Sequence, residues 1–296
     1  MPWRQLKFQL RAADAPTMEQ LLIDAGAQAV TLLDAEDQPV FQEEPGSTPL
    51  WDNTVVCALF AMDTDPEPLL ASLRRQIPQQ SLMHSSIEVL ADQDWKTAWM
   101  ADFHPLQFGK RLWICPSWTT PPRPDQVNVM LDPGLAFGTG THPTTALCLE
   151  WLDQATVVDK TVVDYGCGSG VLGIAALLLG AQEVWAVDND PQALTATAVN
   201  RAHNGIAEER LRVYAPDAMP AVQADILLAN ILSAPLLQLA PLFAELLKPG
   251  GLLVMSGLIP AQTDALLIRC TPWFAMETPC ERDGWVRLCG RRRDDN

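Results

Sequence analysis

The chain has 296 residues, enough for one large domain or two smaller ones with a substantial core. Its 36 Asp and Glu against 20 Lys and Arg give a formal net charge of −16, which disfavours nonspecific binding to nucleic acid and would attract a cationic partner at long range. No apolar run is long enough to span a bilayer, residues Met1 to Gln5 form no apolar leader, and seven cysteines without a C-x-x-C pair and four histidines without ligand spacing point to reduced cytoplasmic thiols and no metal.

Trp3 to Leu10 alternates polar and apolar residues like a half-buried strand, Pro16 to Ala25 has helical spacing and stops at Gly26, and Ala29 to Leu33 is a second strand. After an acid- and Pro-rich loop, Thr54 to Met62 predicts a strand, Pro66 to Gln76 a helix and Ile87 to Leu90 a strand. This βαββαβ order predicts a small α+β sandwich like the ferredoxin fold over residues 1–90. It carries no chemical constellation and reads as a recognition module. Asp92 to Met100 is helix-like, with Trp95 and Trp99 four apart on one face. These rings either line a substrate cleft or pack a linker against a domain, and His104 beside Pro105 reads more readily as structural than as a proton acceptor.

Leu112 to Cys115 and Val127 to Leu131 are strands separated by a Pro-rich turn. The run Asp132-Pro-Gly-Leu-Ala-Phe-Gly-Thr-Gly-Thr-His-Pro-Thr-Thr follows. Gly138 and Gly140 permit a backbone concavity, Pro143 suits a first helical position, and Thr144 and Thr145 place hydroxyls in that first turn, where they could hold one end of a ligand.

Thr161 to Gly173 organises the remainder: an apolar run ending in an acid, three glycines at every second position, then an apolar helix from Val171 to Leu179. That is the first βα unit of a nucleotide-binding sheet. Gly168, Gly170 and Gly173 also satisfy G-x-G-x-x-G, with Asp188 twenty residues after Gly168, so a dinucleotide stays open. Asp164, however, would repel a pyrophosphate but could accept hydrogen bonds from an ammonium, and Asp188, ending the apolar run from Glu183, could accept both hydroxyls of a ribose. S-adenosylmethionine carries both groups. The plainer alternative is that the two acids cap the helices that follow.

Strands and helices then alternate: helix Pro191 to Asn204, strand Leu211 to Tyr214, strand Ala224 to Ala229 ending in Asn230-Ile-Leu-Ser, helix Pro235 to Leu247, strand Leu252 to Met255, helix Ala261 to Arg269. Phe274 to Glu277 and Trp285 to Gly290 flank Arg282-Asp-Gly and read as a hairpin. A Rossmann-like parallel sheet finished by an antiparallel hairpin is a methyltransferase architecture more than a dehydrogenase one. The carbonyl oxygen of Asn230 could accept an amine N–H and aim the nitrogen lone pair; otherwise Asn230 only contacts the cofactor or caps the next helix. No side chain is an evident general base.

These residues resemble the bacterial ribosomal-protein methyltransferase family PrmA over nearly the whole chain. The likeness rests on the run Leu131 to Thr145, on Asp164-Tyr-Gly-Cys-Gly-Ser-Gly, Asp188 and Asn230-Ile-Leu, and on Trp95 to Pro105 and Arg111-Leu-Trp-Ile-Cys-Pro. It implies a substrate-recognition domain over 1–90, a linker helix over 91–110 and a methyltransferase domain over 111–296. The activity it implies is S-adenosylmethionine-dependent N-methylation of lysine side chains or the N-terminal amine of the large-subunit ribosomal protein eleven, by a monomer. Cofactor contacts then fall on Thr145, Gly166, Asp188 and Asn230, while Asp217, in the loop where related enzymes place an acid against adenine, stays unassigned. Three alternatives remain: a glutamine-amide or nucleobase methyltransferase, which would more usually show Asn-Pro-Pro-Tyr at Asn230, a nicotinamide-dependent oxidoreductase, and a cofactor-sensing module without catalysis.

Overall fold

The computed structural model describes residues 2–36, 50–76, 84–90, 103–132 and 142–294. Contacts divide the chain into two compact units, Met1–Met100 and Ala101–Asn296. The Trp95 and Trp99 helix and the loop bearing Gly138 and Gly140 lie outside the described residues.

In the first unit, β1 (Trp3–Arg11), α1 (Ala15–Asp24), β2 (Ala29–Asp34), β3 (Asn53–Ala61), α2 (Pro66–Gln76) and β4 (His84–Leu90) follow in that order. The strands form an antiparallel sheet of order β2-β3-β1-β4. Period two along β1 sends Leu6, Phe8 and Leu10 to one face, where Val56, Ala58 and Phe60 of β3 meet Met18 and Leu22 of α1 and Leu73 of α2. Gly26, with φ of 93°, takes the left-handed step that ends α1.

The second unit is built on a sheet of order β10-β9-β8-β11-β12-β15-β13. Its strands are β8 (Thr161–Tyr165), β9 (Glu183–Val187), β10 (Leu211–Tyr214), β11 (Ala224–Asn230), β12 (Leu247–Leu258), β13 (Phe274–Met276) and β15 (Trp285–Arg292). Those from β10 to β12 are parallel; β15 runs antiparallel to β12 and to β13. A separate sheet of β5 (Leu106–Phe108), β6 (Leu112–Cys115) and β7 (Val127–Met130) packs on one face with α3 (Pro143–Gln154) and α4 (Val171–Leu178). On the other face lie α6 (Ser233–Leu246) and α7 (Pro260–Cys270). Neighbouring residues therefore serve opposite layers: Val162, Ile226 and Leu228 face the first, and Val163, Leu227 and Ala229 the second. Every residue of α4 except Leu178 is buried, which is why this segment reads apolar all round rather than amphipathic.

One detail differs from the sequence expectation. Asp283 and Gly284, with φ of 50° and 75°, make the tight turn that Asp-Gly suggests, but it joins β15 to β14 (Cys280–Arg282), not to Phe274–Met276, which pairs farther along β15. The basic tail, for its part, serves the fold. Arg292 donates to the Leu247 carbonyl where α6 gives way to β12, and Arg293 Nε donates to the Thr271 carbonyl after α7 at 3.2 Å. Pro241 sits inside α6 and has no N–H for the Leu237 carbonyl; Arg269 Nε on α7 supplies the donor instead, at 3.0 Å.

Candidate functional site

The parallel strand order reverses between β8 and β11, and a cavity of about 740 Å³ opens beyond their carboxyl ends. Its floor is the loop from β8 to α4. Gly166 and Cys167 donate their N–H groups to the Val187 carbonyl at 2.7 and 3.0 Å, which ties the loop to the end of β9. Gly166, Gly168 and Gly170 all have positive φ, and a Cβ on Gly166 would come within 2.1 Å of Ile231 Cγ2, so only glycine fits there. From behind, α5 (Pro191–His203) holds the loop open: Thr197 Oγ1 donates to the Gly168 carbonyl at 3.0 Å and Asn200 Nδ2 to the Ser169 carbonyl at 2.8 Å.

The two aspartates of this region take different places. Asp188 lines the cavity; its Oδ2 accepts the Gly168 N–H at 2.9 Å and its Oδ1 the Asp190 N–H at 3.0 Å. The N-cap of α5 is Asp190, not Asp188. Asp164 is only 1% exposed and is not among the cavity-lining residues. Its Oδ2 accepts the Gly173 N–H at 2.9 Å beneath α4, so its bond is to the helix start rather than to a ligand ammonium. Burial raises its pKa to about 7, against the lowering effect of the Gly173 N–H, with the Asp188 charge raising it a little further.

Opposite the glycine loop stand α3 and the end of β11. Pro143 opens α3, as its fixed φ suits, and His142 caps it: Nδ1 accepts the Thr144 N–H at 3.3 Å and lies 2.7 Å from the Thr144 hydroxyl. An Nδ1 that accepts carries no proton, and burial lowers the His142 pKa, so this ring is held neutral with its proton on Nε2. Thr145 is fully buried and its hydroxyl accepts from Asn230 Nδ2 at 3.2 Å. The remaining polar atom, Asn230 Oδ1, is buried without a hydrogen-bond partner among the described residues. An orphaned acceptor of this kind marks the place for a donor from outside the chain. At the end of β12, Gly257 approaches so closely that a Cβ would lie 2.2 Å from the Ile231 carbonyl oxygen.

These features fit an adenosyl sulfonium ligand: a Cβ-free cradle, a carboxylate at the end of the second parallel strand, and an empty acceptor at the end of the fourth. The family model described as ribosomal protein L11 methyltransferase (PrmA) matches residues 2–293. A ribosomal protein L11 methyltransferase from Marinobacter nauticus is 54% identical, over 99% of this chain and 100% of its own, and one from Pseudomonas aeruginosa is 50% identical over 100% of each. The chain belongs to the ribosomal protein L11 methyltransferase family. The crystal structure of ribosomal protein L11 methylase from Lactobacillus delbrueckii subsp. bulgaricus is 34% identical and superposes with a TM-score of 0.59, covering 65% of this chain and 100% of that one. The α/β methyltransferase fold is thereby shared.

All four residues that the resemblance to this family singles out, Thr145, Gly166, Asp188 and Asn230, line the one cavity. Sequence reading missed His142 and Tyr165 as wall residues, together with Leu232, Gly257 and Trp285. The histidine had a usable signal: a polar residue before Pro143 at a helix start is an N-cap, and the cap of a wall helix faces the site. Trp285 had none, since it arrives from a hairpin more than fifty residues beyond Asn230.

Proposed function

We propose that this chain is an S-adenosylmethionine-dependent protein methyltransferase that N-methylates amino groups of ribosomal protein L11, on lysine side chains or the N-terminus. The observation that carries this reading is the buried, unpartnered Asn230 Oδ1 in a cavity shared with the glycine loop and Asp188. Gly166 admits the cofactor to the backbone, Asp188 takes the ribose hydroxyls, and Thr145 fixes Asn230 through the Nδ2 bond. The cofactor supplies an electrophilic methyl on a sulfonium, whose C–S bond breaks with the pair staying on sulfur as the acceptor nitrogen's lone pair forms the new N–C bond.

The chain's own task is alignment. A free lysine amine, with pKa near ~10.4, is neutral in roughly one molecule per thousand at pH 7, a cost of about 4 to 5 kcal/mol. Entry into a cavity of low polarity favours the neutral form, and Asn230 Oδ1 accepts one of its N–H groups so that the lone pair points away from Asn230. His142 Nδ1 already serves as a cap, so the proton passes to solvent.

The first unit fits a ferredoxin-like recognition module, holding a folded substrate while different amines enter one cavity, and the antiparallel end of the second sheet fits the methyltransferase class. The enzyme works as a cytoplasmic monomer. Transfer of labelled methyl from S-adenosylmethionine to purified ribosomal protein L11 is the direct test; absence of label in L11 would refute the reading. The fragment 92–296, folded by circular dichroism, is expected to bind the cofactor yet fail to modify intact L11. Equal activity of fragment and full chain would remove the recognition role.

A further inference from the structure

The segment that follows Asn230 is clamped by two glycines and then breaks a local rule. A Cβ on Gly166 would lie 2.1 Å from Ile231 Cγ2, and one on Gly257 would lie 2.2 Å from the Ile231 carbonyl oxygen. Leu232, the next residue, is set in place by that clamp. It is the N-cap of α6, with φ of −60° and ψ of 155°, and its carbonyl accepts the Leu236 N–H at 3.2 Å. Ser, Thr, Asp and Asn are preferred at such a position because their side chains satisfy an N–H of the first turn. Leu232 makes no cap bond of this kind. Nor is it spent on the core: it is 64% exposed, whereas Leu236 and Ala240 of the same helix are fully buried.

A single exposed leucine is ordinary on a protein surface. This one lines the cavity, two residues and so at most about 7 Å of backbone from Asn230. Pro235 and Leu239 follow it at helical spacing and line the cavity too, so that Leu232 and α6 bring only apolar side chains to this wall. The ribose carboxylate, Asp188, stands across β8 at the end of β9, which leaves the α6 side to the acceptor. A lysine carries four carbons of stem behind its nitrogen. With that nitrogen fixed at Asn230 Oδ1, the stem has to run outward past the residues next to Asn230, and an apolar wall there gains by taking methylenes from water. The same wall costs an ammonium its hydration and a neutral amine far less, so it favours the form whose lone pair attacks the methyl. A residue that serves neither its helix nor its core, at the edge of a cavity, is where a local rule is expected to yield to function.

On the reading that amines of ribosomal protein L11 are methylated in this cavity, we propose that Leu232 is a specificity-determining residue: it packs against the methylene stem of an acceptor lysine and favours that amine over the stemless N-terminal amine. It touches the acceptor, not the cofactor.

The test uses the full chain with Leu232→Ser, which supplies a helix cap and removes the apolar surface, and Leu232→Met, which keeps that surface. Leu232→Ser should melt at or above the parent temperature, and calorimetric titration should give both variants an S-adenosylmethionine affinity within about twofold of the parent. On purified L11, kcat/KM for lysine methylation should fall about 4- to 50-fold in Leu232→Ser, the worth of one to three methylenes kept from water, and Leu232→Met should recover most of that loss. Where mass spectrometry finds the N-terminal amine modified as well, its rate should fall less than that of the lysines. Parental kcat/KM in Leu232→Ser would overturn the proposal, as would a loss matched by lost cofactor affinity, an equal loss at both kinds of amine, or a parent that labels only the N-terminus. Melting of Leu232→Ser below the parent would also overturn it, by showing that the leucine serves the fold. A parent chain that leaves L11 unlabelled would instead refute the functional reading on which the proposal rests.

Discussion

The two ends of the central sheet are built from the same strands and treat polar groups in opposite ways. At the amino ends of β8, β11 and β12 a cavity of about 600 Å³ is lined by Lys160, Asp225 and Lys248. There Asp225 Oδ2 accepts the Thr161 N–H at 3.0 Å and bonds Lys248 Nζ at 3.0 Å, with Lys160 Nζ 3.9 Å from Oδ1. At the carboxyl ends, among the described residues, Asn230 Oδ1 has no hydrogen-bond partner and no Lys or Arg lines the cavity beside Asp188. Capacity closed within the chain builds structure; capacity left open awaits a ligand. Cavity size would not have told the two ends apart.

The largest test of this contrast concerns Asp164, which lies behind the open end. Its folded-state pKa of about 7 exceeds the ordinary value of 3.8, so between these values the folded chain holds a proton that the unfolded chain has lost. Stability therefore falls as pH rises through this window, by about 1.4 kcal/mol per unit and about 4 kcal/mol in all. Asp164→Asn keeps an acceptor for the Gly173 N–H and removes the ionisation. Its stability relative to the parent should climb steadily from pH 5 to 7 in denaturant titrations and level off above. A difference that is flat across that range would mean Asp164 ionises like an exposed acid.

Asp188→Ala should weaken S-adenosylmethionine binding by about 2–3 kcal/mol, because the ribose loses a charged acceptor and Gly168 loses its brace. Asp188→Asn should be milder. Calorimetry showing parental affinity for the alanine variant would remove the ribose assignment. For Asn230→Ala the expected loss is about 2 kcal/mol, roughly 30-fold, in methyl transfer at saturating cofactor, since the amine loses its acceptor on the way to the transition state. A rate that recovers fully with excess cofactor would make Asn230 a binding residue only.

How much of this was legible in sequence depended on how local the determinant is. The glycine loop, Asp188, Thr145 and Asn230 each sit at the end of an element whose apolar run announces it, and parallel strands bring such ends to one edge. Asp164 stayed open between an acceptor for an ammonium and a cap for the next helix because a strand-ending acid looks the same in both roles; the Gly173 bond shows its Oδ2 bracing the helix start. The three-residue strands β5 and β14 exist through their pairing with β6 and β15, and no run that short carries a pattern of its own. Trp285 is the extreme case, since its place in the cavity depends on the Arg282–Glu150 bridge and the Arg287 bond to α3, links across more than a hundred residues.

The smallest expected effect belongs to the closed end. Burial pushes the Asp225 pKa up, but the Thr161 N–H and the Lys248 ammonium outweigh it and hold the carboxyl below its ordinary value. A lowered pKa contributes stability that is present above the unfolded value and lost as pH falls through the folded one, so Asp225 supports the fold at neutral pH and ceases to do so in acid. Asp225→Asn leaves an oxygen for the Thr161 N–H and releases two half-exposed lysines to water, so the cost should be about 1 kcal/mol at pH 7 and should shrink as the pH is lowered into acid. Because every partner of Asp225 is at the amino ends of the strands, cofactor affinity and the rate of methyl transfer should stay within about twofold of the parent, a difference of about 0.4 kcal/mol. A larger loss of transfer in a variant of unimpaired stability would show that the two ends are coupled through β11, and that charge closure at one end helps to set Asn230 at the other.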